Sequence, residues 1–391
     1  MPAATIKLPT SDKRIEPYRL TGTPLEVLPP ATRFNRVAFS AAHVVADPLT
    51  GGEPSDAAAI DWDATIAYRR YLLKLGLGVA EAMDTAQRGM GLGWREALEL
   101  IRHTLEGTRD IPGALIFSGC GTDQLDAAGA KSSADVLRAY REQIEAIQRL
   151  GGRIILMASR ALVRVAKSAD DYVDVYRKIL SEADAPVILH WLGEMFDPAL
   201  DGYWGSRDFE QAMQTCLAVI RDNAGKVDGI KISLLDKDKE IRLRRLLPDG
   251  VKMYTGDDFN YPELIAGDEK GYSHALLGIF DAIAPAASQA LAALAQGEQS
   301  RFFEILNPTV PLSRLIFRAP TQYYKTGVVF LAWLNGHQDH FVMVGGAQSM
   351  RPLPYFADLF RLADQAGLLR DPQLAITRMQ GLLAQYGIAE K

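Results

Sequence analysis

The stretch Val227-Asp228-Gly229-Ile230-Lys231-Ile232-Ser233 reads as a buried β-strand with one ammonium group in its middle. Strand side chains alternate between faces, so Val227, Gly229, Lys231 and Ser233 share one side while Ile230 and Ile232 point to the other. With the isoleucines packed under covering helices, Lys231 looks into the enclosed face of a sheet. An amine placed there is costly to keep charged; its pKa falls and the free amine becomes a competent nucleophile. The same position suits a lysine neutralised by a buried acid, or a strand that frays before residue 231, because structural ion pairs also perturb pKa values.

Working outward, the chain alternates apolar strands with helical segments. Strands are expected over residues 36–44, 79–83, 113–118, 153–158, 186–191, 227–233 and 251–255, with a weakly marked eighth over 271–277. Helices are expected between them over 62–75, 94–105, 132–150, 170–181 and 209–223, the long one capped by Ser132 or Ser133. Eight strands alternating with helices is the arithmetic of a closed parallel (β/α)8 TIM barrel. An open doubly wound sheet is the competitor, but no glycine-rich phosphate fingerprint follows the first strand. Residues 1–35, interrupted by Pro24, Pro29 and Pro30, read as an N-terminal arm, with room for a short hairpin. The barrel is expected over 36–285, and residues 286–391 read as a C-terminal helical extension packed on it.

Composition bounds what this barrel does. The 391 residues are 48% hydrophobic and 23% charged, ordinary for a globular protein with a large core. A formal net charge of -5 argues against a nucleic-acid or anionic-membrane partner. Two cysteines, Cys120 and Cys216, cannot by themselves form a disulfide framework or a thiolate metal site. No run of about 18 apolar residues occurs, and the N-terminus lacks the apolar core of a signal peptide, so a reducing cytoplasmic setting is the default.

In such a barrel function sits where the strands end. The residues expected there are His43, Asp84, Thr85, Cys120, Asp123, Ser159, Arg160, His190, Lys231, Ser233, Asp257, Asp258, Ser273 and His274. His190 is either an ordinary histidine at a strand exit or an acid/base group. Arg160 is either a surface arginine or a bidentate grip on an anion. Asp257 and Asp258 either end a strand in a turn, the slightly favoured reading, or bind substrate hydroxyls.

The order of these pieces resembles the dihydrodipicolinate synthase and N-acetylneuraminate lyase family of class I aldolases. The resemblance rests on Gly229-Ile230-Lys231, on Thr255-Gly256-Asp257-Asp258, on Pro186-Val187-Ile188-Leu189, and on Ile111-Pro112 with Gly119 and Gly121 further on. Thr321 to Lys325 and Arg351-Pro352-Leu353 resemble the family's C-terminal helix and closing segment, and the whole covers roughly residues 36–370. It implies a barrel with a C-terminal helical extension, assembled as a homodimer or homotetramer, in which Lys231 forms a Schiff base with a 2-oxo acid and no other cofactor is needed. A protonated imine is an electron sink for the carbanion formed when an adjacent C–C bond breaks or forms.

The departures from the family are as informative. His190 stands where the family has a tyrosine that shuttles protons, and Asp84-Thr85-Ala86-Gln87-Arg88 stands where a Gly-Thr-Thr-Gly-Glu loop receives the substrate carboxylate. Ser159-Arg160-Ala161 replaces Pro-Tyr-Tyr, so the inter-subunit proton relay of the synthases is not expected, nor is dihydrodipicolinate synthase activity itself.

The expected activity is therefore a Schiff-base aldolase, lyase or related dehydratase acting through Lys231 and His190 on a 2-oxo sugar acid or similar polyhydroxylated carbonyl compound. Asp84, Thr85, Arg160, Ser233, Asp257 and His274 would bind that small-molecule substrate. Two alternatives remain: a metal-dependent sugar isomerase or lyase holding a divalent cation on Glu81, Asp84, His190 and Asp257, and a barrel with a degraded site that binds a metabolite without turnover.

Overall fold

The computed structural model describes residues 4–30, 32–50, 53 and 58–388. Residues 1–3 and 31 of the expected arm and 389–391 of the expected extension lie outside the described residues. The chain opens with an antiparallel hairpin, β1 (Thr5–Pro9) and β2 (Ile15–Arg19). It then runs β3 (Ala38–Ala41), α1 (Trp62–Lys74), β4 (Gly78–Glu81), α2 (Trp94–Gly107), β5 (Ile116–Cys120) and α3 (Ser133–Arg149). Next come β6 (Arg153–Leu156), α4 (Arg160–Val165), α5 (Ala169–Glu182), β7 (Val187–Leu192), α6 (Phe209–Asp222) and β8 (Val227–Ser233). The alternation ends with α7 (Lys237–Arg244), β9 (Lys252–Thr255), α8 (Tyr261–Ala266) and β10 (His274–Leu277). Helices α9 (Ile279–Ala282), α10 (Ala284–Ala295), α11 (Gln299–Leu306), α12 (Val310–Ile316), α13 (Tyr324–Leu334), α14 (Leu353–Gln365) and α15 (Pro372–Gln385) follow.

The chain divides into two compact units, and residues 36–42 and 77–278 form the first described here. Its strands β3 to β10 pair in chain order, all parallel, and β10 pairs back onto β3, closing an eight-stranded barrel. All eight predicted strands are present, with shifted ends. The third begins at Ile116 rather than residue 113 because Gly113 turns at φ 73°, a left-handed conformation that glycine adopts without strain. The first pairs over only four residues rather than nine.

Register decides which side chains face inward. Phe39, Ala41, Ala80, Phe117, Ile155, Ile188, Tyr254 and Leu276 form one buried cluster. They come from seven strands around a closed ring, so they meet inside it. Ile188 lies opposite Gly229, His190 opposite Lys231, Leu192 opposite Ser233, and Lys231 opposite Tyr254. Strand alternation therefore carries the interior column of β8 through Gly229, Lys231 and Ser233, as the sequence predicts. Gly229 is required there: a Cβ on it would come within 2.6 Å of the Tyr254 ring and 2.5 Å of the Lys252 carbonyl oxygen. On the outer face Trp191 stacks on Phe209 of α6 with ring centroids 5.7 Å apart. Helix starts follow the sequence signals: the Asp135 carboxylate reaches back to the Ser132 N–H at 2.9 Å, and Asp171 to the Ser168 N–H at 3.1 Å.

The second unit comprises residues 1–35, 43–76 and 279–391. The hairpin lies against α14, where Asp364 accepts from the Tyr18 hydroxyl at 2.7 Å and from the Thr21 N–H at 2.9 Å. Helix α1 belongs to this unit rather than to the barrel unit, and Tyr68 on it donates to the Asp281 carbonyl at 2.7 Å. Buried His43 holds Asp281 through Nδ1 at 2.9 Å. No helix among the described residues is long and apolar enough to cross a membrane.

Candidate active site

Lys231 sits two residues before the end of β8, inside the barrel, and is 7% exposed. Burial pushes its pKa below the ordinary lysine value, while the charges of Asp258 and Asp84 pull it back up. The side chain of Lys231 forms no hydrogen bond or ion pair among the described residues. The ammonium is thus offered nearby negative charge but no partner to lock it in place. A folded chain rarely leaves a buried amine in that state without a use for it.

His190 faces Lys231 from the neighbouring strand. Burial, and then the charge of Lys231, hold its pKa well below the usual histidine value, so the ring is neutral. Its Nε2 lies 3.3 Å from the Ser233 hydroxyl, and its buried Nδ1 has no hydrogen-bond partner. A neutral imidazole with one nitrogen tied and one open can pass a proton in either direction. The close approach of these groups depends on Gly256: a Cβ there would meet Ser233 Oγ at 2.2 Å and Lys231 Cε at 2.8 Å.

A cavity of about 370 Å³ opens over the ends of β4 to β7, lined among others by Asp84, Arg88, Asp123, Arg160, His190 and Asp197. Arg88 is the anchor of its wall and sequence reading missed it. Its guanidinium grips Asp123 through Nε at 3.0 Å and Nη2 at 2.7 Å. It also donates to Gln143 Oε1 at 2.6 Å and to the Gly119 carbonyl at 2.6 Å. Burial pushes the Asp123 carboxyl up, but the hydrogen bonds and charge of Arg88 outweigh it and hold the group below the usual carboxylate range. Arg160, at the start of α4, lies on the rim of this cavity and pairs with Asp197 at 2.5 Å.

Of the expected site residues, then, Lys231, His190, Ser233, Asp84 and Arg160 gather at the strand ends. Thr85 is buried in the short turn Asp84–Ala86 that follows β4 and does not line the cavity. Asp257 is corrected from a substrate ligand to a turn cap: its carboxylate accepts from the N–H groups of Phe259 at 2.8 Å and Asn260 at 3.0 Å and from the Asn260 side chain at 2.8 Å. Its neighbour Asp258 is the member of the pair whose charge reaches Lys231.

His274 is likewise corrected. It opens β10 instead of ending it, at the N-terminal mouth of the barrel, where its Nδ1 accepts from the Val37 N–H at 2.8 Å. Burial there lowers its pKa to about 4.

The four residues of the metal alternative do not assemble. Glu81 alternates outward from Ala80 and is engaged by the Thr104 hydroxyl of α2 at 2.6 Å and by the Ala82 N–H at 2.7 Å. Asp257 is spent on its turn, and no group of three or more metal-ligating side chains occurs among the described residues. Cys120, at the end of β5, is buried with its thiol pushed up to about 12, so it is no nucleophile.

The closed parallel eight-stranded barrel defines the class at the level of fold: it is the fold of the dihydrodipicolinate synthases. Solved structures bear this out at the level of fold. A prophage protein of the dihydrodipicolinic acid synthase family from E. coli K12, solved in complex with pyruvate, has a TM-score of 0.65 at 14% identity, over 85% of this chain and 99% of that one. The chloride-inhibited dihydrodipicolinate synthase from Acinetobacter baumannii, complexed with pyruvate, gives 0.61 at 16% identity, over 85% and 99%. The Aquifex aeolicus dihydrodipicolinate synthase gives 0.58 at 11% identity, over 91% and 99%. No curated protein sequence matches the chain. The family model described as "protein of unknown function (DUF993)" matches residues 6–388, and the chain belongs to that family.

Proposed function

We propose that this protein is a Schiff-base lyase or aldolase, or a related dehydratase, acting through Lys231 on a 2-oxo sugar acid or similar polyhydroxylated carbonyl compound. The observation that carries the reading is the state of Lys231: inside the barrel, with its pKa lowered by burial and no ion pair to neutralise it. The neutral amine adds to the substrate carbonyl carbon, the carbonyl oxygen takes up protons and leaves as water, and a protonated imine remains. That imine accepts the electron pair released when the adjacent C–C bond breaks or, in a dehydratase, when the adjacent C–H bond gives up its proton, the enamine then expelling the next hydroxyl as water. His190, neutral and facing the amine, moves the proton between the departing or arriving oxygen and the substrate carbon through its open Nδ1. Ser233 fixes the ring through Nε2.

The test is intact-mass and peptide mapping after incubation with a panel of 2-oxo acids, ketoses and hydroxyaldehydes in sodium borohydride. A reduced adduct on Lys231 is expected, with labelling that rises with pH to a midpoint below the ordinary lysine value of about 10.4. No adduct with any member, together with a Lys231→Ala variant that still turns a substrate over, overturns the imine mechanism.

A further inference from the structure

The cavity over the ends of β4 to β7 is lined by residues that end or follow those four strands, and by none from β8 onward. One of them is His190, which faces Lys231 across the β7–β8 pair and whose buried Nδ1 has no hydrogen-bond partner. A compound joined to Lys231 through its carbonyl carbon therefore enters the cavity only with the part of its chain that passes His190. The rest of the wall meets the remote end of that compound.

Arg160 stands on this wall. Its Nε donates to Asp197 at 2.5 Å, while Nη1 and Nη2 form no hydrogen bond among the described residues. The side chain keeps 54% of its exposure, so a ligand can reach it. Asp197 is itself fixed, accepting from the Ala199 N–H at 3.1 Å through its other oxygen, and it orients the guanidinium without covering it. The edge left open carries two parallel N–H bonds, which match two oxygens of a carboxylate or a phosphate.

The other acids of the wall leave that edge open. Asp123 is held by Arg88 through Nε and Nη2. Asp126 is exposed, screened by water, and accepts from the Ala128 N–H at 3.0 Å. Asp84 forms no hydrogen bond through its side chain among the described residues, and its charge acts on Lys231. It suits a hydroxyl of the substrate, which donates where an anion cannot.

We infer that this cavity is the subsite for an anionic group, a carboxylate or a phosphate, carried at the end of the substrate remote from its carbonyl, and that Arg160 receives it through Nη1 and Nη2. The inference rests on the imine reading for the placing of the carbonyl, and it adds where the charge of the substrate lies.

Calorimetric titration of the Lys231→Met chain, which cannot form an imine, measures the subsite by itself. Xylulose 5-phosphate is compared with xylulose, and fructuronate, whose carboxylate is remote from its ketone, with fructose. At least one anionic member is expected to bind about tenfold or more tighter than its neutral counterpart, and Arg160→Gln added to the same chain is expected to remove that gain. A gain from the phosphate alone, or from the carboxylate alone, upholds the subsite and names the group. No gain from either group, or a gain that survives Arg160→Gln, overturns it. Borohydride labelling of the parent chain with the same compounds reads the imine separately. Lack of label on Lys231 beside a gain lost in Arg160→Gln leaves the anion subsite standing and counts against the imine reading alone.

Discussion

The two mouths of the barrel are both polar, and they use their charges in opposite ways. At the N-terminal mouth Asp228 accepts from Lys252 at 3.1 Å and from the Tyr254 hydroxyl at 2.7 Å, with Arg153 3.9 Å away. His274 there is held neutral and tied to the backbone. At the C-terminal mouth Lys231 and Asp84 carry charge without a hydrogen bond between side chains, and His190 keeps one buried nitrogen open. Paired charge closes a barrel end at little net cost, whereas unpaired charge inside one is a standing penalty. The difference supports the proposal that chemistry is done at the C-terminal mouth, whose polar groups are left waiting.

The strongest way to break this comparison is Lys231→Met. If the amine is a functional burden, its removal abolishes borohydride labelling and lowers turnover by at least ~10³-fold. Stability moves the other way, up by about 1 kcal/mol, because a desolvated amine is replaced by an apolar side chain of similar length. The sign with pH is fixed. Lys231 has a folded pKa below its unfolded value, so its cost is full at low pH and disappears as pH rises from the folded pKa towards about 10.4. The advantage of the methionine variant, read from urea unfolding at several pH values, should shrink over that interval. A variant less stable than the parent at neutral pH would mean the lysine holds the fold.

Arg88→Leu tests the wall of the same mouth, which is built on the satisfied principle. Removing the guanidinium takes a donor from two carbonyl groups and from Asp123 and Gln143, which keep only the Gln143 side-chain N–H at 3.0 Å and the Gly121 N–H at 2.6 Å respectively. The expected loss is about 2–3 kcal/mol by urea unfolding, less than for a wholly buried pair because the Asp123 side chain keeps 28% of its exposure. A loss under about 0.5 kcal/mol would show that the network is ornamental to stability.

How much of this was legible in the sequence depends on range. The barrel was, because eight strands and their interleaved helices are each written locally, and the alternation of β8 already put Lys231 inside. His190 followed from the same local logic. Asp257 was harder: a residue after a strand reads alike as ligand or cap, and only the position of Asn260 decides between them. His274 was misread because the eighth strand was marked too weakly for its two ends to be told apart. Glu81 was decidable, since Ala80 faces inward and its neighbour cannot. Arg88 was out of reach. Its partners at residues 123 and 143 belong to other strand–helix units, and nothing in its own neighbourhood announces them.

The smallest expected effect sharpens the comparison from the opposite mouth. Asp228→Asn keeps the shape of the side chain and an oxygen able to accept from Lys252 or Tyr254, but removes the negative charge. Because Lys252 is one-third exposed, solvent already screens the pair, and the loss should be about 0.5–1 kcal/mol. Asp228 does not act on the charge of Lys231, which answers to Asp258 and Asp84. The rate of borohydride labelling and its pH midpoint should therefore stay where they are. A midpoint that moved with Asp228→Asn would mean that the two mouths share one electrostatic field. A midpoint that holds while stability falls would establish the N-terminal mouth as scaffold and the C-terminal mouth as the place where the lysine is kept reactive.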